Sequence, residues 1–370
     1  MNKIMGYKIK KILQEEGAEY FPLTSDIENR LNDLPVLNCN NQDDFLIDET
    51  DDMDKQTLRL IPFKGEFLKP CPGTNNYICC GYMILNIGTN CPLNCSYCIL
   101  QAYFNKPSLR IFVNLEDKLN EVAELLDKSP ERIFRVGTGE FTDSLALDDI
   151  HKFTTLITDF IYARRNTVIE YKTKTTEIKR LLTLKSRERV IVSWSLNSPF
   201  IAAHEEHGAP SIEQRLIAAK TCQDEGYITG FHFDPLIIHD DWKEYYSKTI
   251  ELMAKYLRPE KIIWISMGCM RFLPSLKKII LNRHPESIIL NNEFIYGLDG
   301  KQRYFKPLRI EMYSFLGKLL KDWAGFDPGL YLCMESDEIW EKSLGWSPGN
   351  SEGLSNYLDG RVRLFWSTTI

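Results

Sequence analysis

Cys91-Pro92-Leu93-Asn94-Cys95-Ser96-Tyr97-Cys98 closely follows the apolar run Met83-Ile84-Leu85-Asn86-Ile87-Gly88. Its three cysteines stand at C-x3-C-x2-C spacing around a Pro-Leu-Asn turn. Thiolates are soft ligands, and iron–sulfur clusters are held by cysteines. In a four-iron cubane, three local cysteines leave one iron open to a small chelating molecule. Zinc sites usually show two C-x-x-C pairs or a following His pair. No His lies between Cys98 and His151, and no second C-x-x-C pair exists. The spacing therefore favours a cluster over structural zinc or three unrelated buried thiols. By itself it says nothing about substrate.

This spacing is the signature of the radical S-adenosylmethionine enzymes, and the chain resembles them here. The amino and carboxylate groups of S-adenosylmethionine suit an open iron, and its reductive cleavage gives a 5′-deoxyadenosyl radical. Outward from the motif, short apolar runs alternate with helical patterns. Ile84–Gly88, Ile133–Val136, Val168–Thr173, Val190–Leu196, Ile228–Phe233 and Ile262–Met267 read as buried parallel strands. Leu115–Leu126, with Asn114 as N-cap, Leu147–Tyr162, Thr176–Leu184, a helix opened by the capping box Ser211–Gln214, Asp241–Tyr256 and Ser275–His284 read as helices. Six β/α units predict a partial parallel barrel, open enough for a large substrate, with its site at the C-terminal strand ends. The cysteine loop follows the first strand, as that rule requires. The fold class is α/β: a partial (β/α)6 barrel of radical S-adenosylmethionine type over 81–296. An irregular N-terminal cap, with a short helix over Lys8–Glu16, fills 1–80, and a C-terminal extension fills 297–370.

The chain has 370 residues and 44% hydrophobic content, enough for a sizeable core. No long apolar run and no N-terminal signal pattern appear, so the expectation is a cytoplasmic chain with no membrane partner. Ten cysteines in such a chain point to metal or redox chemistry. The formal net charge is −6, but seven acids between Asp43 and Asp54 account for it, and the rest is near neutral. Such a block reads as a solvated loop. Between Arg271 and Arg309, eight Lys or Arg face three acids, a local basic segment around the turn Leu298-Asp299-Gly300-Lys301.

At the strand ends stand polar groups. Gly137-Thr138-Gly139-Glu140 offers close backbone approach and a carboxylate for the cofactor's amino end, although a tight packing turn reads the same way. Lys174 suits the cofactor carboxylate, and Ser195 and Asn197 can hydrogen-bond its other polar parts. His232 and Asp234 finish the fifth strand, as cofactor or substrate contacts or as satisfied structural polars. Cys269, Met270 and Arg271 finish the sixth.

Cys91 to Gln101, then Leu109-Arg110 through Asn114-Leu115-Glu116, Thr173-Lys174, Ser195 to Ser198, Arg215 to Ala219, Gly226-Tyr227 and Arg271-Phe272 resemble the spore photoproduct lyase family in order and spacing. The resemblance implies radical reversal of a thymine dimer, 5-thyminyl-5,6-dihydrothymine, in DNA. It implies cluster ligation by Cys91, Cys95 and Cys98, and cofactor roles for Tyr97, Lys174, Ser195 and Asn197. It also implies DNA contact by the hairpin Lys301-Gln302-Arg303-Tyr304, to which Arg271 adds a cation. The electron donor is expected to be a reducing protein such as flavodoxin or ferredoxin. Two positions depart from the family. Its hydrogen-donating cysteine falls nearest Phe141, and its aromatic residue after the third cluster cysteine is Ile99. Gly137 to Asp148 and Tyr331 to Ser336 look more like the family's non-sporulation branch. With Phe141 in place, Cys269 at the end of the sixth strand is the nominated hydrogen donor, against its reading as a small buried hydrophobe. A substrate other than DNA (a peptide, an RNA or a small metabolite) and a non-catalytic cluster- or zinc-bearing interaction protein are the alternatives.

Overall fold

Runs of Val, Ile and aromatic residues with both faces covered build an eight-stranded sheet, as parallel strands require. The computed structural model describes residues 3–4, 7–39, 55–74, 76–104 and 108–367; the acidic block Asp43–Asp54 lies outside them. The strands are β1 (Leu68–Pro70), β2 (Met83–Leu85), β3 (Phe134–Gly137), β4 (Thr167–Thr173), β5 (Val190–Ser195), β6 (Ile228–Leu236), β7 (Ile262–Cys269) and β8 (Leu330–Leu332). They lie side by side in chain order. Neighbours from β2 to β8 are parallel, and β1 pairs antiparallel with β2.

β8 comes from the segment expected to be an appendage, and it extends the barrel beside β7. The segment after β8 then reaches across to the connection between β1 and β2. Ile78, just before β2, donates its amide to the Glu335 carbonyl (2.9 Å), and Met334 donates to the Ile78 carbonyl (3.2 Å). The C-terminal helix Ser351–Ser367 closes over this seam. Arg135 of β3 donates to Asp359 (2.8 Å), to Ser355 (3.0 Å) and to the Cys80 carbonyl (2.5 Å). Arg361 donates to the carbonyls of Ile263 and Ile262 at the start of β7. The C-terminal helix thus braces the starts of β3 and β7 and leaves the C-terminal strand ends for chemistry.

The N-terminal region is ordered sheet rather than irregular cap. Lys11–Glu15, expected within a helix, is a strand between Val36–Cys39 and Thr57–Ile61, and Leu109–Phe112 and Gly88–Thr89 complete five strands. Pairing on both sides outweighs the helical propensity of Lys, Leu and Glu there. Gly88 is needed at this join: a Cβ there would lie 2.1 Å from the Arg110 carbonyl oxygen. The stretch Thr176–Leu184 keeps only a 3-10 turn at Leu181–Thr183. The Thr175 amide bonds to the Thr173 hydroxyl and the Thr175 carbonyl accepts from Trp194, so local side-chain bonds displace the helix. Leu147–Tyr162 breaks at Lys152, whose φ is +58°, and Asp148 caps the second half through Thr154. Asn114 does not cap its helix; it exchanges hydrogen bonds with the Phe63 main chain. The capping box at Ser211 and Gln214 forms as read, and so does the hairpin turn, with Gly300 at φ +73°. Among the described residues no helix is long and apolar enough to cross a membrane.

Candidate active site

The loop after β2 reaches over the C-terminal strand ends, where Cys91, Cys95 and Cys98 line one cavity of about 340 Å³. The loop is strapped down through side chains. Asn94–Cys95 pairs antiparallel with Glu206–His207. The Ser96 amide donates to the Glu205 carbonyl (2.9 Å), and its hydroxyl donates to the Glu205 carboxylate. That carboxylate also accepts from Ser287 (2.8 Å) and the Ile288 amide (2.9 Å). Tyr97 donates to Glu206, which is ion-paired with the fully buried Arg215, and Arg215 donates to the Ser195 carbonyl (3.0 Å). Burial pushes the Glu206 carboxyl up, but Arg215 and Lys174 outweigh it and hold the group below its usual range. Gln101 donates to the carbonyls of Cys95 (3.2 Å) and Ser96 (3.0 Å), and Lys55 to that of Leu93.

Burial raises the Cys91 thiol and pushes that of Cys95 up to about 12. Such thiols ionise when a metal's positive charge compensates them, so loading releases protons. Among the described residues no three His, Cys, Asp or Glu side chains converge on a point that would take a single ion. A cluster does not ask for convergence, because each thiolate faces its own iron. Three soft donors around one cavity on a strapped loop fit a cluster.

The strand ends divide into residues that reach the cavity and residues that support it. Tyr97, Gly139, Glu140, Lys174, Ser195 and Asp234 line it; Gly137 and Asn197 do not. Gly137 is small because a Cβ there would run into the Tyr82 hydroxyl, and Gly139 because one would press on Lys172 and Ser144. Packing thus requires both glycines, and Gly139 also borders the cavity. Asn197 is buried, donates to the Pro235 carbonyl (3.0 Å) and accepts from Tyr246 (2.6 Å), so it fixes the β6 end. Asp143 gathers the amides of Leu145, Ala146 and Lys174 with the Thr173 hydroxyl, which sets the direction of Lys174. The Lys174 ammonium then lies 5.7 Å from the Tyr97 ring centre.

Two cavity carboxylates carry partners. Glu140 is 2.5 Å from Lys172, and Asp234 binds Arg271 through both oxygens at 2.8 and 3.1 Å. Deeper, Glu170 accepts from Ser193 (2.5 Å) and Trp264 (2.9 Å) and meets His232 Nε2 at 2.9 Å, while His232 Nδ1 meets Ser266 at 2.7 Å. Burial opposes the Glu170 charge, but His232 and these donors outweigh it and lower the carboxyl to about 2. Glu170, Lys172, Glu205 and Glu206 were not anticipated. The signal for the first two was the period-two spacing of Glu170, Lys172 and Lys174, which puts all three on one strand face.

Two expectations are corrected. Cys269 does not line the cavity: it is buried against the helix Lys306–Ala324, with its sulfur 3.7 Å from Met312 Sδ and its amide on the Tyr313 hydroxyl. Strand alternation sends the next residue, Met270, into the cavity instead. The basic hairpin turns inward. Arg303 is ion-paired with Asp299 at 2.6 Å and donates to the Met334 carbonyl, and Tyr304 is fully buried on Phe294. Neither presents a surface to DNA, while Arg271 and Lys301 line the cavity.

The family model for spore photoproduct lyase matches residues 78–307. A spore photoproduct lyase from a Geobacillus species is 27% identical over 223 residues, 60% of this chain. The matched stretch spans 63% of that relative, less than two thirds of its length. The Bacillus subtilis spore photoproduct lyase is 25% identical over 255 residues, 68% of this chain and 67% of the relative. Among solved structures, a variant spore photoproduct lyase with dinucleoside spore photoproduct superposes with a TM-score of 0.78 at 21% identity, covering 88% of this chain and 98% of that one. Another, with bound AdoMet and dinucleoside spore photoproduct, gives 0.76 at 20% identity over 89% and 99%. These superpositions establish the barrel fold. With more than half of its length matched by the family model, the chain belongs to the spore photoproduct lyase family.

Proposed function

We propose that this chain is a radical S-adenosylmethionine lyase that reverses the thymine dimer 5-thyminyl-5,6-dihydrothymine in DNA. The observation that carries the reading is the placement of three strapped cysteines and the polar strand ends around one cavity in a chain of this family. Cys91, Cys95 and Cys98 would hold a [4Fe–4S] cluster, and the cavity they line would take S-adenosylmethionine. When bound, the pair supplies hydrogen abstraction from carbon, which no side chain performs. Lys174 and Ser195 orient the cofactor's polar groups, and Tyr97 is held against Glu206 as part of the loop wall. Arg271 and Lys301 meet the substrate's negative charge at the cavity instead of along an outer groove. A lesion enters by turning out of the duplex, at a cost of about a few kcal/mol and least where the base is damaged. A low-potential reducing protein such as flavodoxin or ferredoxin supplies the electron.

A second reading keeps the radical and changes the substrate to a peptide, an RNA or a small metabolite. Phe141 in the cavity and the inward-turned Arg303 and Tyr304 favour it. Anaerobically reconstituted protein incubated with deuterium-labelled lesion DNA separates the two. Label in 5′-deoxyadenosine supports the lyase; cofactor cleavage with the lesion intact supports the second reading.

A further inference from the structure

Beyond the three loop cysteines, three more thiols line the cavity: Cys71, Cys80 and Cys333. A lyase that works through a substrate radical must close a carbon radical with a hydrogen atom, so a weak X–H bond has to stand where the substrate is held. The three thiols differ in position. Cys80 lies in the connection from β1 to β2, with its carbonyl accepting from Arg135, which also holds the C-terminal helix, and its thiol in electrostatic reach of Glu140 and Cys71. Cys333 follows β8, with the paired Asp234 and Arg271 both in electrostatic reach. Cys71 follows β1 and continues its register with β2: Pro70 faces Met83, and the Cys71 amide donates to the Tyr82 carbonyl (2.8 Å).

Directly opposed residues of an antiparallel pair share a face. Cys71 and Tyr82 both look into the cavity, and the buried Tyr82 hydroxyl has no hydrogen-bond partner among the described residues. Lys69, on the same side of β1, lies 4.7 Å from the centre of the Phe141 ring. Glu140 and Lys172 are in electrostatic reach of the Cys71 thiol, as is Tyr103, a cavity residue that is 45% exposed and so marks the mouth. Cys71 is thus the cavity thiol in reach of the exposed Tyr103, two residues along the chain from the lysine that lies over the Phe141 ring.

We propose that Cys71 is the hydrogen-atom donor of this site, acting on the substrate radical from the strand beside Phe141. The inference rests on the lyase reading. In the step, the Cys71 S–H bond breaks homolytically and a C–H bond forms on the product carbon, leaving the unpaired electron on sulfur. One electron from the low-potential donor and one proton from solvent restore the thiol.

The test uses reconstituted full chain in D2O, where a thiol hydrogen exchanges with solvent. With lesion DNA, the wild type is expected to place solvent deuterium in the repaired thymine. In Cys71→Ala and Cys71→Ser, iron content stays at the wild-type level. Repaired thymine per lesion consumed falls about tenfold, with radical adducts in its place. In unloaded protein, maleimide labelling of Cys71, read by mass spectrometry, is expected to slow when dinucleoside spore photoproduct is added. Wild-type yield and deuterium content in Cys71→Ala, or the same loss from Cys80→Ala or Cys333→Ala with Cys71→Ala silent, overturns the assignment. If the wild type leaves the lesion untouched, the lyase reading itself has failed. Deuterium in 5′-deoxyadenosine formed without substrate then decides about Cys71: its loss in Cys71→Ala keeps Cys71 as the cavity's donor, and its persistence removes it.

Discussion

The two walls of the cavity use the same residue types and hold them differently. On the loop wall, charged side chains grip main chain and hydroxyls: Glu205 takes Ser96, Ser287 and the Ile288 amide, and Arg215 ties Glu206 to the Ser195 carbonyl. On the other wall, charges pair with each other at the cavity surface, Glu140 with Lys172 and Asp234 with Arg271. A charge committed to a main-chain strap cannot leave without releasing the loop. A surface pair can exchange one partner for a ligand group at modest cost, because water and ligand replace what is lost. The loop wall therefore fixes geometry, and the other wall takes up the charge of what binds.

The largest break in this contrast comes from the loop itself. Cys91→Ala, Cys95→Ala or Cys98→Ala should each abolish cluster-dependent cleavage of S-adenosylmethionine, measured after anaerobic preparation. Stoichiometric zinc without iron in the wild type would contradict the cluster. Next is Arg215→Ala. It leaves the Glu206 carboxylate buried with Tyr97 as hydrogen-bond donor and Lys174 as the remaining cation, and losing one partner of a buried pair costs about 3–5 kcal/mol. A large drop in thermal midpoint is expected, against a smaller one for Lys172→Ala at the partly exposed pair; equal drops would erase the distinction between the walls.

A smaller effect depends on pH. The Glu170 carboxyl is lowered from 4.5 to about 2 in the folded chain. Its contribution to stability is therefore fully present above 4.5 and is lost as pH falls toward 2. Glu170→Gln should flatten the fall in denaturant midpoint across that window, and an unchanged acid limb would show that His232 and Ser193 hold the charge less firmly than their distances indicate. The smallest effects belong to the basic segment. Arg303→Ala should lower stability by about 1–3 kcal/mol, because it strips a partner from Asp299. It should leave the salt dependence of lesion-DNA binding intact. Lys301→Ala should do the reverse, reducing the salt slope by about 0.7–0.9 for one lost phosphate contact. A flattened slope in Arg303→Ala with unchanged stability would return the hairpin to the DNA surface.

What the sequence by itself determined was local or periodic. The cysteine spacing names soft ligands on a short loop, the apolar runs name parallel strands, and Ser211 with Gln214 and Gly300 name a helix start and a turn, because each is decided within a few residues of chain. Phase and partnership were not decided there. Alternation says that one of Cys269 and Met270 faces the cavity, but only the packing of the helix Lys306–Ala324 against β7 chooses Met270. Leu330–Leu332 is legible as a strand, yet its place beside β7 and the Ile78–Glu335 seam depend on how a whole sheet curls. The straps on Ser96 and Tyr97 come from Glu205 and Glu206, 109 residues away in each case. A lone Glu or Arg in sequence reads as solvated surface, since its hydration favours water unless a partner waits in the interior. Tertiary structure alone supplies that partner, and so it alone decided which charges and which thiols of this chain belong to the site.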